Sequence, residues 1–236
     1  MKHAIFLLLF VQLCIAGFAQ NSNITYDPNK ALQVHIGIGG YYNDYKNLNE
    51  TLTSAGFDNV GKFAITNLLE ADMRMKNLLL GIGGSMGASA KKNDDYNTWL
   101  MSFYGGLNIG YYVVNNKNFH LAPQAGIGIY SSFVKISDRN GYDNFNELLE
   151  NGNTITMNQY TPALDLSLRF DFADFTKNKT VIKGFRMGYK LGLAKRGWGI
   201  NETSNSTLDG SPQDRINQFY ATATIGLTAL KPNKMK

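Results

Sequence analysis

Alternation between apolar and polar residues is the dominant pattern along this chain. In residues 160–172 every even position is apolar or aromatic, whereas the odd positions include Asp165, Arg169 and Asp171. A period of two places successive side chains on opposite faces of a strand. This run of 13 residues exceeds the five or six residues of an average strand. The segment therefore predicts a long strand with one apolar face and one charged face.

Seven further segments show the same alternation, three of them in shorter or noisier form. A strand needs roughly 9 to 11 residues to cross a bilayer obliquely, which suits the longer segments. The pattern therefore predicts eight strands able to span a membrane. The other seven predicted strands lie within 34–42, 69–75, 78–86, 99–113, 119–130, 184–194 and 219–227.

The connectors between these segments alternate strictly between short and long. Transmembrane barrels show this pattern, because their periplasmic turns are short and their external loops are longer. The short connectors are 76–77, 115–118 and 175–179, and the long ones are 46–61, 91–97, 137–152 and 197–215.

We therefore predict an all-β fold: a single eight-stranded antiparallel up-and-down transmembrane β-barrel over residues 32–230. A periplasmic N-terminal segment, 20–31, is expected before it and a C-terminal tail, 231–236, after it. Both termini are expected in the periplasm, because they lie on the side of the short connectors.

The first 19 residues have the pattern of a secretory signal peptide. Lys2 and His3 precede the apolar stretch 4–15, and the small-residue pattern of 17–19 follows it. Cleavage at this point removes Cys14, the only cysteine of the chain. The exported protein is therefore expected to lack disulfides, thiolate metal sites and cysteine nucleophiles.

Composition narrows the class of protein further. Charged residues make up only 17% of the chain, below the quarter or so that is typical of soluble domains. After loss of the signal peptide, 22 basic residues face 18 acidic ones and are spread along the chain. Such a balance is not the footprint of a nucleic-acid-binding protein, and no nucleic-acid partner or cofactor is expected.

Three stretches resemble a known class of protein. They are the cleavage site 17–20, the opening strand Val34–Gly40 and the segment Ala125–Ile129. They are similar to small outer-membrane β-barrel proteins of the porin-like or OmpA-like superfamily, especially the uncharacterised members common in Bacteroidetes. The resemblance covers nearly the whole mature chain. It implies location in the outer membrane, contact with outer-membrane lipid, insertion by the barrel-assembly machinery and no catalytic signature.

If the apolar faces contact lipid, the polar faces enclose a lumen that holds four acids and four bases. Charges in a narrow interior are costly unless they are paired, and an eight-stranded barrel is just wide enough for side chains to fill it. We therefore expect a monomer with a closed lumen and a structural or surface-interaction role. The expected charge network consists of Glu70, Asp72, Arg74, Asp165, Arg169, Asp171, Arg186 and Lys190.

Two alternatives use the same residues. One is a narrow porin for small solutes, whose selectivity the lumen charges would set. The other is a soluble periplasmic barrel that would turn its apolar face inward around a ligand. An enzyme is not expected, because His35 and His120 are the only histidines left after cleavage and neither lies in an external loop. No metal site is expected either, since the pair Asp94 and Asp95 lacks the spacing of a calcium loop.

Overall fold

The computed structural model describes residues 26–92, 96–138, 154–177, 179–200 and 211–232, so that the predicted signal peptide lies outside the described residues. Eight of the strands are long. The elements are β1 (Tyr26–Asn43), α1 (Lys46–Ser54), β2 (Phe63–Met75), β3 (Leu78–Lys92), β4 (Tyr96–Tyr111), β5 (Val114–Asn115), β6 (His120–Asp138), β7 (Thr154–Phe172), β8 (Lys179–Gly192), β9 (Arg196–Gly197), β10 (Gly199–Ile200), β11 (Gln213–Asp214) and β12 (Asn217–Pro232). None of the described helices is both long and apolar enough to cross a membrane.

The long strands form a closed antiparallel barrel, which confirms the predicted fold. Seven consecutive pairings join β1 to β2, β2 to β3, β3 to β4, β4 to β6, β6 to β7, β7 to β8 and β8 to β12. The eighth pairing joins β12 back to β1, with Val34 opposite Leu227. The sheet therefore has no free long edge.

The first strand begins earlier than the sequence pattern indicates. β1 starts at Tyr26 instead of position 32, and its partner β12 continues to Pro232 instead of ending at 230. The pairing shifts register between Asp27 and Ala31. Because this shift interrupts the alternation, the sequence pattern begins only after it.

The exterior of the barrel is apolar and the interior is polar. Outward side chains such as Ile38, Ile65 and Leu107 expose 66%, 71% and 63% of their surface. A soluble ligand-binding barrel would bury these side chains and expose its charges, so that alternative is wrong. An apolar exterior around a polar interior is the pattern of outer-membrane barrels, and it places this protein in an outer membrane.

Aromatic side chains mark both borders of the apolar band. On β4, Trp99 and Tyr111 point outward and are about half exposed. At about 3.3 Å per residue and a tilt near 40°, these positions lie roughly 30 Å apart along the barrel axis. This is close to the thickness of a bilayer core. Phe63, Phe133 and Tyr160 accompany Trp99 at one border, and Phe119 and Phe172 accompany Tyr111 at the other.

The two ends of the barrel differ in their connections. One end, called here the short-turn end, carries the connections 76–77, 112–119 and 173–178 together with the first and last described residues. The opposite end, called here the long-loop end, carries α1 and the short strands β9, β10 and β11. Because periplasmic turns are short in such barrels, the short-turn end is assigned to the periplasm.

Small residues in the barrel wall make room for large side chains from nearby strands. A Cβ atom at Gly81 of β3 would lie 1.9 Å from Oδ1 of Asp72, and one at Gly87 would lie 2.2 Å from Cε1 of Tyr41. Real Cβ atoms do not approach other atoms so closely. The glycines are therefore matched to the side chains that fill the lumen, as expected for a small barrel.

Candidate functional site

The eight charged residues expected to line the lumen lie at inward positions of three strands. None of them exposes more than 4% of its surface. In the barrel order β2 lies opposite β7, so that side chains from these two strands meet across the bore. Glu70, Asp72 and Arg74 come from β2, Asp165, Arg169 and Asp171 from β7, and Arg186 and Lys190 from β8.

Arg169 bridges the lumen from one wall to the other. Its Nη1 donates to Asp72 at 2.5 Å and its Nε donates to Asp171 at 2.8 Å. Its Nη2 donates to Oε1 of Gln33 at 2.9 Å and lies 2.5 Å from Nε2 of His35. The guanidinium thus has a partner for each of its three nitrogens, as a buried charge requires.

Arg186 forms a second bridge beside the first. It contacts Glu70 through Nη1, donates from Nε to Oγ of Ser167 at 3.1 Å and lies 3.5 Å from Oδ2 of Asp165. In the strand register Arg186 lies directly opposite Arg169. Like charges at facing positions repel, and Glu70 reduces this repulsion because it contacts Arg186 and lies 3.8 Å from Arg169.

Lys190 occupies an aromatic site toward the long-loop end. It lies opposite Asp165 in the register, with its ammonium 3.9 Å from Oδ2 of that residue. The ammonium is also 3.7 Å from the ring centre of Tyr220 and 5.0 Å from that of Tyr104. Tyr220 in turn donates its hydroxyl to Asp165 at 2.8 Å. Cation–π contacts and a carboxylate together compensate this buried charge.

Arg74 lies at the short-turn end, where its guanidinium sits 4.4 Å from the ring centre of Phe175. The ring of His120 stacks on the same phenylalanine at 4.0 Å. Apolar side chains around Phe175 fill the bore at this level. This lower cluster consists of Leu79, Tyr112, Ala122, Ala173, Phe175 and Ile182.

A larger apolar cluster fills the long-loop end. Helix α1 contributes Leu48 and Leu52, which pack with Trp198 and with inward residues of the barrel wall. This upper cluster consists of Tyr45, Leu48, Leu52, Val60, Leu100, Tyr130, Val134, Ile136, Met157, Ala163, Trp198 and Ile216. Burial raises the pKa of Tyr45 well above its usual value, and its hydroxyl forms a hydrogen bond with Oγ of Ser132 at 3.0 Å.

Asp214 fixes α1 over the barrel mouth. Its carboxylate accepts hydrogen bonds from the backbone amides of Asn47 at 2.9 Å and Leu48 at 3.0 Å, in the first turn of the helix. The indole Nε1 of Trp198 donates to the same carboxylate at 3.0 Å. An acidic side chain at a helix N-terminus satisfies free amides and interacts favourably with the helix dipole. Asp214 therefore joins the helix to the loop that carries Trp198.

Neutral residues complete the lumen network, and the charge pattern of the sequence does not assign them to it. Asn108 donates to Glu70 at 2.9 Å, and Tyr112 donates to Asp171 at 2.7 Å. Gln33 and His35 contact Arg169 as described above. The alternation of inward and outward positions, which identified the charged residues, could also have identified the neutral residues that lie on strands. No periodic signal identifies Trp198 or Asp214, because they lie in the long loop region.

Catalysis and metal binding would depend on the metal-ligand groups and histidine contacts of the described residues. Among them, no group of three or more His, Cys, Asp or Glu side chains could hold a metal ion. His120 bonds Oδ1 of Asn115 at 2.7 Å and the carbonyl of Ala173 at 2.9 Å, and His35 bonds Arg169. The hydrogen bonds of both histidines thus go to amide and guanidinium groups, which hold the rings in place.

No protein-family model matches this chain, and no curated protein matches it. Among solved structures, it is similar to Ail, the attachment invasion locus protein of Yersinia pestis, with 9% identity, a TM-score of 0.47 and coverage of 85% of this chain and 98% of Ail. It is also similar to a major outer membrane protein from Thermus thermophilus, with 11% identity, a TM-score of 0.46 and coverage of 85% and 98%. It is similar as well to OprG from Pseudomonas aeruginosa, with 12% identity, a TM-score of 0.41 and coverage of 88% of this chain and 98% of OprG. Values this low support no statement about role.

Proposed function

We propose that this protein is a closed outer-membrane barrel with a structural or surface-interaction role, and that its eight lumen charges form a structural network. The observation that carries the proposal is the bridging of the bore by Arg169. This side chain of β7 binds Asp72 on the opposite wall while it also binds Asp171 on its own strand.

Closure is supported at three levels of the barrel. The upper cluster with α1 lies at the long-loop end, the charge network lies in the middle, and the lower cluster lies at the short-turn end. A solute would have to displace all three in series. Because the central charges are paired and buried, their displacement would leave uncompensated charges in a narrow space, which is costly.

A surface-interaction role is supported by the way in which the mouth is built. α1 is held by Asp214 and by packing of Leu48 against the barrel interior. Such a fixed helix offers partners at the cell surface a preformed shape, which lowers the entropy cost of binding. A non-enzymatic role fits the histidine contacts described above.

The direct test is a conductance measurement in planar bilayers with purified protein. Because three filled levels lie in series, we expect no steady channel and at most rare, small openings. Heat-modifiable gel mobility of the same sample should show that the barrel is folded. A steady, large conductance from folded protein in repeated preparations would overturn closure and favour a narrow porin.

A further inference from the structure

The short-turn end of the barrel is strongly basic. The only carboxylate with a described, solvent-accessible side chain at this end is Asp174, in the turn between β7 and β8. Six exposed lysines lie on the turns and the adjoining strand ends of the same end of the barrel. They are Lys30, Lys76, Lys117, Lys177, Lys179 and Lys183.

Lys183 differs from the others because it lies on the lipid-facing wall of the barrel. It occupies an outward position of β8, directly opposite Phe172 on β7 and Ile225 on β12, and both neighbours are about half exposed. The ring of Phe172 also contacts Phe119 at 5.4 Å. A lysine among aromatic residues at the border of the apolar band extends its ammonium toward the headgroup layer.

Lys117 and Lys177 lie beside this wall on two adjacent turns. Hydrogen bonds from the hydroxyl and amide of Thr176 lower the pKa of Asp174, and the charges of Lys117 and Lys177 lower it further. The two turns that carry these lysines meet through His120, whose ring bonds Oδ1 of Asn115 in one turn and the carbonyl of Ala173 in the other. With Lys183 these two lysines give a local excess of positive charge at the membrane border.

Hydrogen bonds hold the turns of this end together. The amide of Lys76 donates to the carbonyl of Asn29 at 2.6 Å, and Nδ2 of Asn115 donates to Oδ1 of Asn77 at 2.8 Å. His120 links the β5–β6 connection to the β7–β8 turn through the carbonyl of Ala173. The turns that carry the lysines are thus fixed to one another by hydrogen bonds, which favours preorganised binding.

We propose that Lys117, Lys177 and Lys183, together with Phe119 and Phe172, form a binding site for the phosphate headgroups of anionic phospholipids in the periplasmic leaflet. We call this site the basic rim. A lipid partner is favoured over an acidic cell-wall polymer because Lys183 lies on the wall that faces the acyl chains. The inference goes beyond the proposed function, since lipid binding at the rim does not require a closed lumen.

The test is native mass spectrometry of the purified protein in detergent, titrated with phosphatidylglycerol or with phosphatidylcholine of the same acyl chains. A lysine near an anionic surface contributes about 1 kcal/mol, which is roughly a fivefold change in affinity. We expect the wild-type protein to prefer phosphatidylglycerol by at least about tenfold. The triple variant Lys117→Gln, Lys177→Gln and Lys183→Gln should lose this preference.

Two controls distinguish lipid binding at the basic rim from an effect of the total positive charge of the protein. The variant Lys91→Gln, Lys92→Gln and Lys195→Gln removes three exposed lysines from the long-loop end and should keep the preference. Replacing the rim lysines with arginine should keep it too, because the charge is retained. Equal binding of both lipids by the wild-type protein, or equal loss in both glutamine variants, would overturn the proposal.

Sedimentation with purified peptidoglycan addresses the competing partner. We expect the wild-type protein and the rim glutamine variant to behave alike in this assay. If the rim variant instead loses sedimentation while its preference for phosphatidylglycerol is unchanged, the rim recognises the cell wall and the lipid assignment is wrong.

Discussion

A single glycine shows how closely the barrel wall fits its contents. A Cβ atom at Gly81 would lie 1.9 Å from Oδ1 of Asp72 and 2.4 Å from Oδ1 of Asn108, and both side chains belong to the lumen network. Gly105 on β4 offers a matched control, because a Cβ atom there has no neighbour within 4 Å.

We therefore expect Gly81→Ala to destabilise the folded barrel by about 1 to 3 kcal/mol, the usual cost of overpacking. Gly105→Ala should leave stability nearly unchanged. The measurement is the temperature at which the folded gel band disappears. Equal melting of the two variants would mean that Asp72 and Asn108 move aside freely, and that the lumen is less tightly packed than its contacts imply.

The lipid-facing wall can be tested at one residue as well. Leu166 points outward from the middle of β7 and exposes 53% of its surface. Leu166→Arg should destabilise the barrel by roughly 2 to 4 kcal/mol if this position lies near the bilayer midplane. Leu193→Arg, just beyond the long-loop end of β8, should cost about 0 to 1 kcal/mol. Urea unfolding in lipid vesicles measures both, and equal costs would contradict the assigned membrane position.

At the scale of paired elements, the ion pairs between strands β2, β7 and β8 predict which charge reversals lower stability and which restore it. Arg186→Glu would place a third carboxylate beside Glu70 and Asp165. Breaking a buried pair typically costs about 3 to 5 kcal/mol, so the folded band should melt at a clearly lower temperature. Adding Glu70→Arg should restore part of the loss.

A second compensating variant gives the contrast. Asp171 is bound to Arg169 and Tyr112, at a different point of the bore. Asp171→Arg should therefore fail to rescue Arg186→Glu. Rescue by Asp171→Arg equal to that by Glu70→Arg would mean that only the total lumen charge matters and that the individual pairs do not.

The upper cluster depends on one carboxylate, which makes a prediction about helix α1. Asp214→Ala removes the acceptor for the amides of Asn47 and Leu48 and for the indole of Trp198. In a Trp99→Phe background, Trp198 is the only tryptophan, and its emission should shift to longer wavelength as water reaches it. Glu50→Ala, which removes an exposed carboxylate of the same helix, should leave the emission unchanged. An unshifted spectrum for Asp214→Ala would show that packing alone holds the cluster.

The elements also show what sequence can predict here. Parity along β7 predicts that Asp165, Arg169 and Asp171 share one face, because the pleat fixes this alternation. Parity does not predict that Arg169 faces Arg186, since register depends on how the turns and the closed barrel align the strands. It also does not predict that Asp214 binds α1. The bonded residues of α1, Leu48 and Asn47, lie 166 and 167 positions before Asp214 in the chain. Periodic features were therefore predictable, and long-range contacts were not.

For the whole molecule, the three filled levels predict how conductance responds to removal of the helix. α1 and the upper cluster lie at the long-loop end, and the paired charges of Arg169 and Arg186 lie below them. If each level closes the bore by itself, the variant in which a Gly-Ser linker replaces residues 46–54 should give no conductance in planar bilayers. The same variant should show faster hydrogen exchange for the loops at the barrel mouth, which demonstrates that the upper level has been loosened.

A variant that also removes the central bridges should behave differently. Combining the linker with Glu70→Ser, Asp72→Ser, Arg169→Ser and Arg186→Ser replaces the crossing side chains with small ones, and we expect brief openings limited by the lower cluster around Phe175. The order of these effects is the critical result. A steady channel from the linker variant alone would mean that the helix is the only barrier and that water and ions pass between the charges of the lumen.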